Sequence, residues 1–349
     1  MTVVRARGEG IRKYILEHVE KHPTDIAKRV ADHFGVSRQA VNKHLRKLTE
    51  EKCLTESGNT KARKYAAASI SEWGKVFFIT PDLAEDVIWR NDIKIALGEL
   101  PQNVLNIWHH GFTEMFNNAI DHSGGTAIYV AIKKTSTTAE MTIADDGVGI
   151  FKKIQTAMSL LDERHAILEL SKGKLTTDPK NHSGEGIFFT SRMFDSFDIL
   201  SGAVYLSHEF GTEEDWIVER PKEKSGTVVF LKLNNHTSRS VKKIYEQYSP
   251  GEEFGFTKTV VPVVLAKYGN DSLVSRSQAK RLLARVELFK TVIFHYAGVD
   301  TIGQAFADEI YRVFANQHPE IEILSSGGNA DIKQMISRAK TGLVSPDKA

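Results

Sequence analysis

The chain has 349 residues, 41% hydrophobic and 26% charged, a composition that excludes a fibrous repeat or a wholly disordered chain and is long enough for two or three domains. Net charge is only +2, but residues 1–68 hold fifteen Lys and Arg against eight Asp and Glu, which leaves the remainder near −5. A basic front end on a mildly acidic body points to a nucleic-acid module. A single cysteine, Cys53, excludes an internal disulfide framework and fits a reducing compartment. The first residues lack an apolar core of signal-peptide length, and no apolar run approaches a membrane span, so the expectation is a cytoplasmic protein with no membrane partner.

In chain order, Ile11, Ile15 and Val19 recur at four-residue spacing and predict a first helix. Thr24 can cap a second, with Ile26, Ala27, Val30 and Phe34 inward and Gly35 closing it. Ser37 can cap a third, with Val41, Leu45 and Leu48 inward. On its opposite face fall Arg38, Gln39, Asn42, Lys43 and Arg46, side-chain types that pair with base edges and phosphates when a helix enters the major groove. The polar turn at Ser57–Gly58–Asn59, followed by basic Lys61, Arg63 and Lys64, predicts a small hairpin whose cations meet backbone phosphates. Residues 9–68, and GVSRQAVNKHLRKL above all, resemble the helix-turn-helix of bacterial winged-helix regulators, which implies double-stranded DNA as partner for a domain over 1–68.

Residues 69–103, with Trp73, Phe77 and Phe78, are expected as a packed connector. From about Asn103 to His122 a helical pattern places Glu114, Asn118 and Asp121 along one edge. A carboxylate and an amide one turn apart suit a shared magnesium and water site, the Asn oxygen as a hard ligand and the Glu as a group that orients or deprotonates a nucleophile. Two strand-like runs follow, TAIYVAIKK and AEMTIADDG, the second ending at Asp145–Asp146–Gly147–Val148–Gly149. Residues 151–181 are expected to hold a helix and then a lid in which Lys172 and Lys174 flank Gly173, as a solvated pair or as phosphate contacts. Gly184 and Gly186, in HSGEGI, open an apolar helical segment whose amide groups and dipole suit phosphate. Ser225–Gly226–Thr227 begins a further strand.

These ordered motifs resemble the Bergerat-fold ATPases, the gyrase, Hsp90, histidine-kinase and MutL group, with the anti-sigma-factor kinases as relatives. The resemblance implies a central α/β ATP-binding sandwich over 104–248 that takes ATP and Mg²⁺. It gives Asn118 the metal, Glu114 activation of the attacking group, Asp146 the adenine amino group, and Gly147 and Gly149 room for the base. Gly184 and Gly186 take the triphosphate, and the Thr227 hydroxyl supports the adenine-binding acid. No helical hairpin bearing a phosphoacceptor His is evident, which speaks against a sensor kinase.

Beyond Ser249–Pro250–Gly251 strand-like and helical runs alternate, which predicts a small α/β unit over 249–340, with 341–349 a frayed tail. The pattern resembles the STAS-like domains. Where phosphorylatable members carry a hydroxyl, this chain reads Ile302–Gly303–Gln304–Ala305–Phe306, so a phospho-switch there is not expected. The expected role is packing, against the ATPase unit or a second copy, with a homodimer or a partner regulatory protein as the assembly. The leading expectation is a multidomain, DNA-binding regulator whose domain arrangement is set by bound Mg–ATP and reset by slow hydrolysis. The alternatives are a protein serine/threonine kinase of the anti-sigma-factor type and a nucleotide-responsive scaffold without turnover.

Overall fold

The computed structural model describes residues 3–59, 63–176, 184–211, 215–249, 255–267 and 272–341. The first helices are α1 (Val3–His18), α2 (Ile26–Phe34) and α3 (Arg38–Glu50). Gly35 ends α2 in the left-handed region, φ 59°, and the Ser37 hydroxyl caps α3 by accepting the Ala40 N–H at 3.2 Å. Ile11, Ile15, Val19, Val30, Val41 and Leu45 meet in a core of their own. The strands β1 (Leu54–Ser57) and β2 (Lys64–Ala67) pair as an antiparallel hairpin and close this core with Leu54 and Tyr65.

The strand β3 (Ser69–Phe78) leads into the central unit. A helical stretch follows, α4 (Glu85–Ile88), a π-helical turn at Trp89–Ile93 and α5 (Lys94–Leu97). Next come α6 (Gln102–His122), β4 (Ala127–Thr135), β5 (Thr138–Asp145), α7 (Ile150–Ala157), α8 (Glu163–Lys172) and α9 (Gly186–Met193). The unit ends with β6 (Ser196–Glu209), β7 (Asp215–Asn234) and α10 (Val241–Tyr248). The five strands form one antiparallel sheet in the order β3-β4-β5-β7-β6. The first ten residues of the stretch expected as a connector, 69–103, are thus the sheet's edge strand.

Alternation along the sheet turns Met141, Ile143, Val229 and Leu231 toward the helices, where Trp108, Phe112 and Phe116 of α6 are fully buried. Burying each such side chain contributes about 1.5–3 kcal/mol, so α6 is held by packing rather than by propensity.

The last unit comprises β8 (Lys258–Pro262), α11 (Arg276–Leu283), β9 (Thr291–His295), α12 (Gln304–Asp308), a π-helical turn at Glu309–Phe314, α13 (Ala315–Gln317), β10 (Glu322–Ser326) and α14 (Ala330–Thr341). Its three strands are parallel, ordered β10-β9-β8. A Ser275–Gln278 capping box starts α11. Strand β8 stops at Pro262 and gives way to a 3₁₀ turn, Val263–Ala266.

The expected break near residue 249 is not a break in packing. One hydrophobic core runs from Phe77 of β3 through to Ala339 of α14. Helix α8 joins the two halves: every residue from Ala166 to Lys172 is buried, because α8 lies between β6 on one side and β8 on the other.

Candidate functional site

A cavity of about 280 Å³ opens between α6 and the helix-facing side of the sheet. The i, i+4 spacing on α6 brings Glu114 and Asn118 to its wall one turn apart. Asp121, on the same helix, is exposed and does not line it. Gly184 and Gly186 contribute the start of α9, and Thr227 of β7 lies on the sheet side. Gly186 sits where a Cβ would fall on the Glu114 carboxylate, so a side chain there would displace the Glu114 carboxylate from its position.

The two adjacent acids part company. On β5, Met141 and Ile143 face inward, and the period of two carries Asp145 to the same side, into the cavity wall. Asp145 Oδ1 accepts the backbone N–H of Gly147 at 2.9 Å and of Thr227 at 3.2 Å. Burial pushes its carboxyl above the usual carboxylate range, against those same two amides.

Asp146 points away, is exposed and does not line the cavity. Its carboxylate accepts the Thr126 hydroxyl and the Thr126 N–H, each at 2.6 Å, and the Ala127 N–H at 3.0 Å. The hydroxyl first, then the amides, hold it down to about 2. Asp146 therefore fastens the turn before β4. Of the two carboxylates, Asp145 is the one in the cavity, a correction to the reading that gave this place to Asp146. The alternation of β5 carried the signal.

Gly147 and Gly149 shape the turn behind the wall rather than line it; Gly149 caps α7 at φ 88°. The Thr227 hydroxyl accepts the Ile150 N–H at 3.0 Å, so one threonine ties the Asp145 strand end to the start of α7. Lys153 on α7, which the motifs did not single out, also lines the cavity and donates to the His122 carbonyl at 2.7 Å.

Leu175 and Thr176 line the cavity at the far end of α8, and the Leu175 N–H donates to the Gly184 carbonyl at 3.1 Å. Lys172 beside them is neither solvated nor at the cavity. Its ammonium is fully buried, 2.7 Å from Glu169 Oε1, and donates to the Ala284 carbonyl at 2.7 Å and the Arg281 carbonyl at 3.2 Å. Arg285 completes the cluster at 3.1 Å from Glu169 Oε2 and donates to the Lys174 carbonyl. Lys174 in turn donates to the Leu288 carbonyl at 2.8 Å and lies over the Phe289 ring. The end of α8 and the residues just after it are thus fastened to the C-terminal unit through buried charge, while residues 177–183, where the lid was expected, lie outside the described residues.

A second candidate surface lies on α3. Arg38, Gln39, Asn42, Lys43 and Arg46 are all exposed on the face away from Val41, Leu45 and Leu48. On the hairpin, Lys64 is exposed, while Arg63 pairs with Glu56 at 3.5 Å. Lys61 lies outside the described residues.

Among the described residues no group of three or more His, Cys, Asp or Glu forms a metal cage. None of their helices is long and apolar enough to cross a membrane. Residues 278–332 match the family described as STAS-like domain of unknown function (DUF4325). No curated protein matches the chain.

Proposed function

We propose that the cavity is a Mg–ATP site of the Bergerat type and that the protein is a DNA-binding regulator whose domain arrangement follows nucleotide binding. One observation carries this reading: Glu114 and Asn118 share a cavity wall with Gly186, and the cavity's sheet side bears a carboxylate, Asp145, held by Thr227. Asp145 has the chemistry to accept the adenine amino hydrogens, the role the family resemblance had given to Asp146. The Asn118 amide oxygen is the hard donor that would hold magnesium, with Glu114 one turn away acting on a water. Bound there, the ion would supply charge neutralisation to the phosphates.

Glu114 is the group placed to orient or accept a proton from an attacking water, which makes slow hydrolysis the reset. The amides at the start of α9, which Gly184 and Gly186 bring to the cavity wall, would bind the phosphates. Lys153 supplies a cation at the same wall.

The exposed basic face of α3, with the hairpin beside it, supports the winged-helix reading and a duplex partner. If nucleotide alters duplex affinity, duplex alters nucleotide affinity by the same factor. The test is calorimetric titration of Mg–ATP into the protein with and without a mixed-sequence duplex at low salt. Equal affinities in the two titrations remove the coupling.

The STAS-like match favours a second reading, a protein kinase of the anti-sigma-factor type, with Glu114 deprotonating a hydroxyl of a partner protein. Label from the γ-phosphate appearing on a protein, rather than as free phosphate, separates this reading from the first.

A further inference from the structure

A second cavity, of about 320 Å³, lies where the C-terminal parallel sheet meets the central unit. Pro262, His295 and Ser326 are the last residues of β8, β9 and β10. They are register partners, so they stand side by side at the carboxyl edge of the sheet and line one wall. The carboxyl edge of parallel strands is where open α/β sheets bind ligands. The opposite wall is built by the central unit, with Arg192 from the last turn of α9, Gln247 from the last turn of α10 and His208 near the end of β6.

The lining is one-sided in charge. It offers a guanidinium, two imidazoles, an amide, a serine hydroxyl and the Tyr248 phenol, and no Asp or Glu among the described residues. Arg192 is pre-set. Its guanidinium stacks 3.7 Å from the Phe188 ring centre, and Nη1 donates to the Phe188 carbonyl at 3.2 Å and to Ser191 Oγ at 2.7 Å. Nε and Nη2 meet no hydrogen-bond acceptor among the described residues. On the facing wall His295 is buried, 4% exposed, and its Nδ1 lies 2.7 Å from Ser326 Oγ, so this ring too is fixed in place. A rigid guanidinium fork facing an ordered imidazole–hydroxyl pair is the chemistry of oxyanion recognition. The size suits a small molecule.

We propose that this second cavity binds a small molecule through an oxyanion, a phosphate or a carboxylate, held by Arg192 on one wall and the His295–Ser326 pair on the other. The site lies outside the nucleotide cavity and does not depend on the reading given to it.

The probes are inorganic phosphate and acetate, titrated without nucleotide into the full chain and followed by histidine ring NMR. His208 and His295 report on the second cavity and His122, which lines the first, serves as the separate reporter. The expected result is a saturable shift of His208 and His295, with affinity falling roughly tenfold or more in Arg192→Gln. Saturation by phosphate alone assigns a phosphate ligand; saturation by acetate alone assigns a carboxylate. If Arg192→Gln does not fold, His208→Asn replaces it, with His295 as reporter. Non-saturating shifts equal to those from chloride at matched ionic strength, shifts confined to His122, or undiminished affinity in the variant would overturn the proposal.

Discussion

The N-terminal helical unit and the C-terminal parallel-sheet unit are attached to the central sheet in opposite ways. The first keeps a separate core and touches the sheet through polar groups, Glu20 with Lys232 of β7 and with the Thr138 hydroxyl at 3.4 Å. The second shares one continuous apolar core with the sheet and adds the buried Glu169–Lys172–Arg285 cluster. Motion at the C-terminal end of α8 must therefore strain the C-terminal unit, whereas the helical unit can shift without disturbing a core. Under the proposed function, nucleotide binding would reach the two ends by different physical routes, packing at one and surface electrostatics with chain connection at the other.

The largest effect expected to sharpen this contrast is at Glu169. Glu169→Ala leaves Lys172 and Arg285 as buried cations without their carboxylate, at a cost of about 3–5 kcal/mol. All four tryptophans lie between residues 73 and 216, so denaturant unfolding followed by tryptophan fluorescence reads the body alone. An unchanged midpoint would show that the buried cluster does not fasten the two halves.

Leu45→Ala removes a fully buried side chain from the separate N-terminal core, at a cost of about 2–5 kcal/mol. Its signature is an early helix-loss transition by circular dichroism while the tryptophan transition stays in place. A parallel fall of both would mean that the two cores unfold as one. Ser37→Ala removes the α3 cap and is expected to cost about 1 kcal/mol in the same helix-loss transition. An unmoved transition would discard the cap's contribution.

The smallest effect is at the joint. Glu20→Ala breaks a partly exposed ion pair and should change stability by less than about 1 kcal/mol, while small-angle scattering reports a wider spread of positions for the helical unit. A loss of several kcal/mol would place this contact among the interactions that hold the body together.

What the sequence made legible follows period and spacing. The apolar stripe of α6 and the four-residue step from Glu114 to Asn118 depend only on helix geometry, so both could be read directly. The strand β3 hid itself: as an edge strand it is exposed at eight of its ten residues and shows no alternation, so it read as a connector. Asp145 was overlooked for its neighbour, although the inward parity of Met141 and Ile143 pointed to it. The burial of Lys172 was not legible, since its pairing with Glu169 three residues earlier reads equally as a solvated helical pair and the Arg281 and Ala284 carbonyls it donates to are more than a hundred residues away. Helix α14 falls within the segment expected to be packed, but its boundaries were not read from the pattern.

In the proposed site the carboxylate at the end of β5, not that of the next residue, would read the nucleotide. Calorimetry with Mg–ATP on the wild type, Asp145→Asn and Asp146→Asn tests it most directly. Binding by the wild type and by Asp146→Asn, with Asp145→Asn weakened roughly thirtyfold or more, is the predicted outcome. Absence of heat from the wild type, or loss of binding in Asp146→Asn with Asp145→Asn intact, would contradict it.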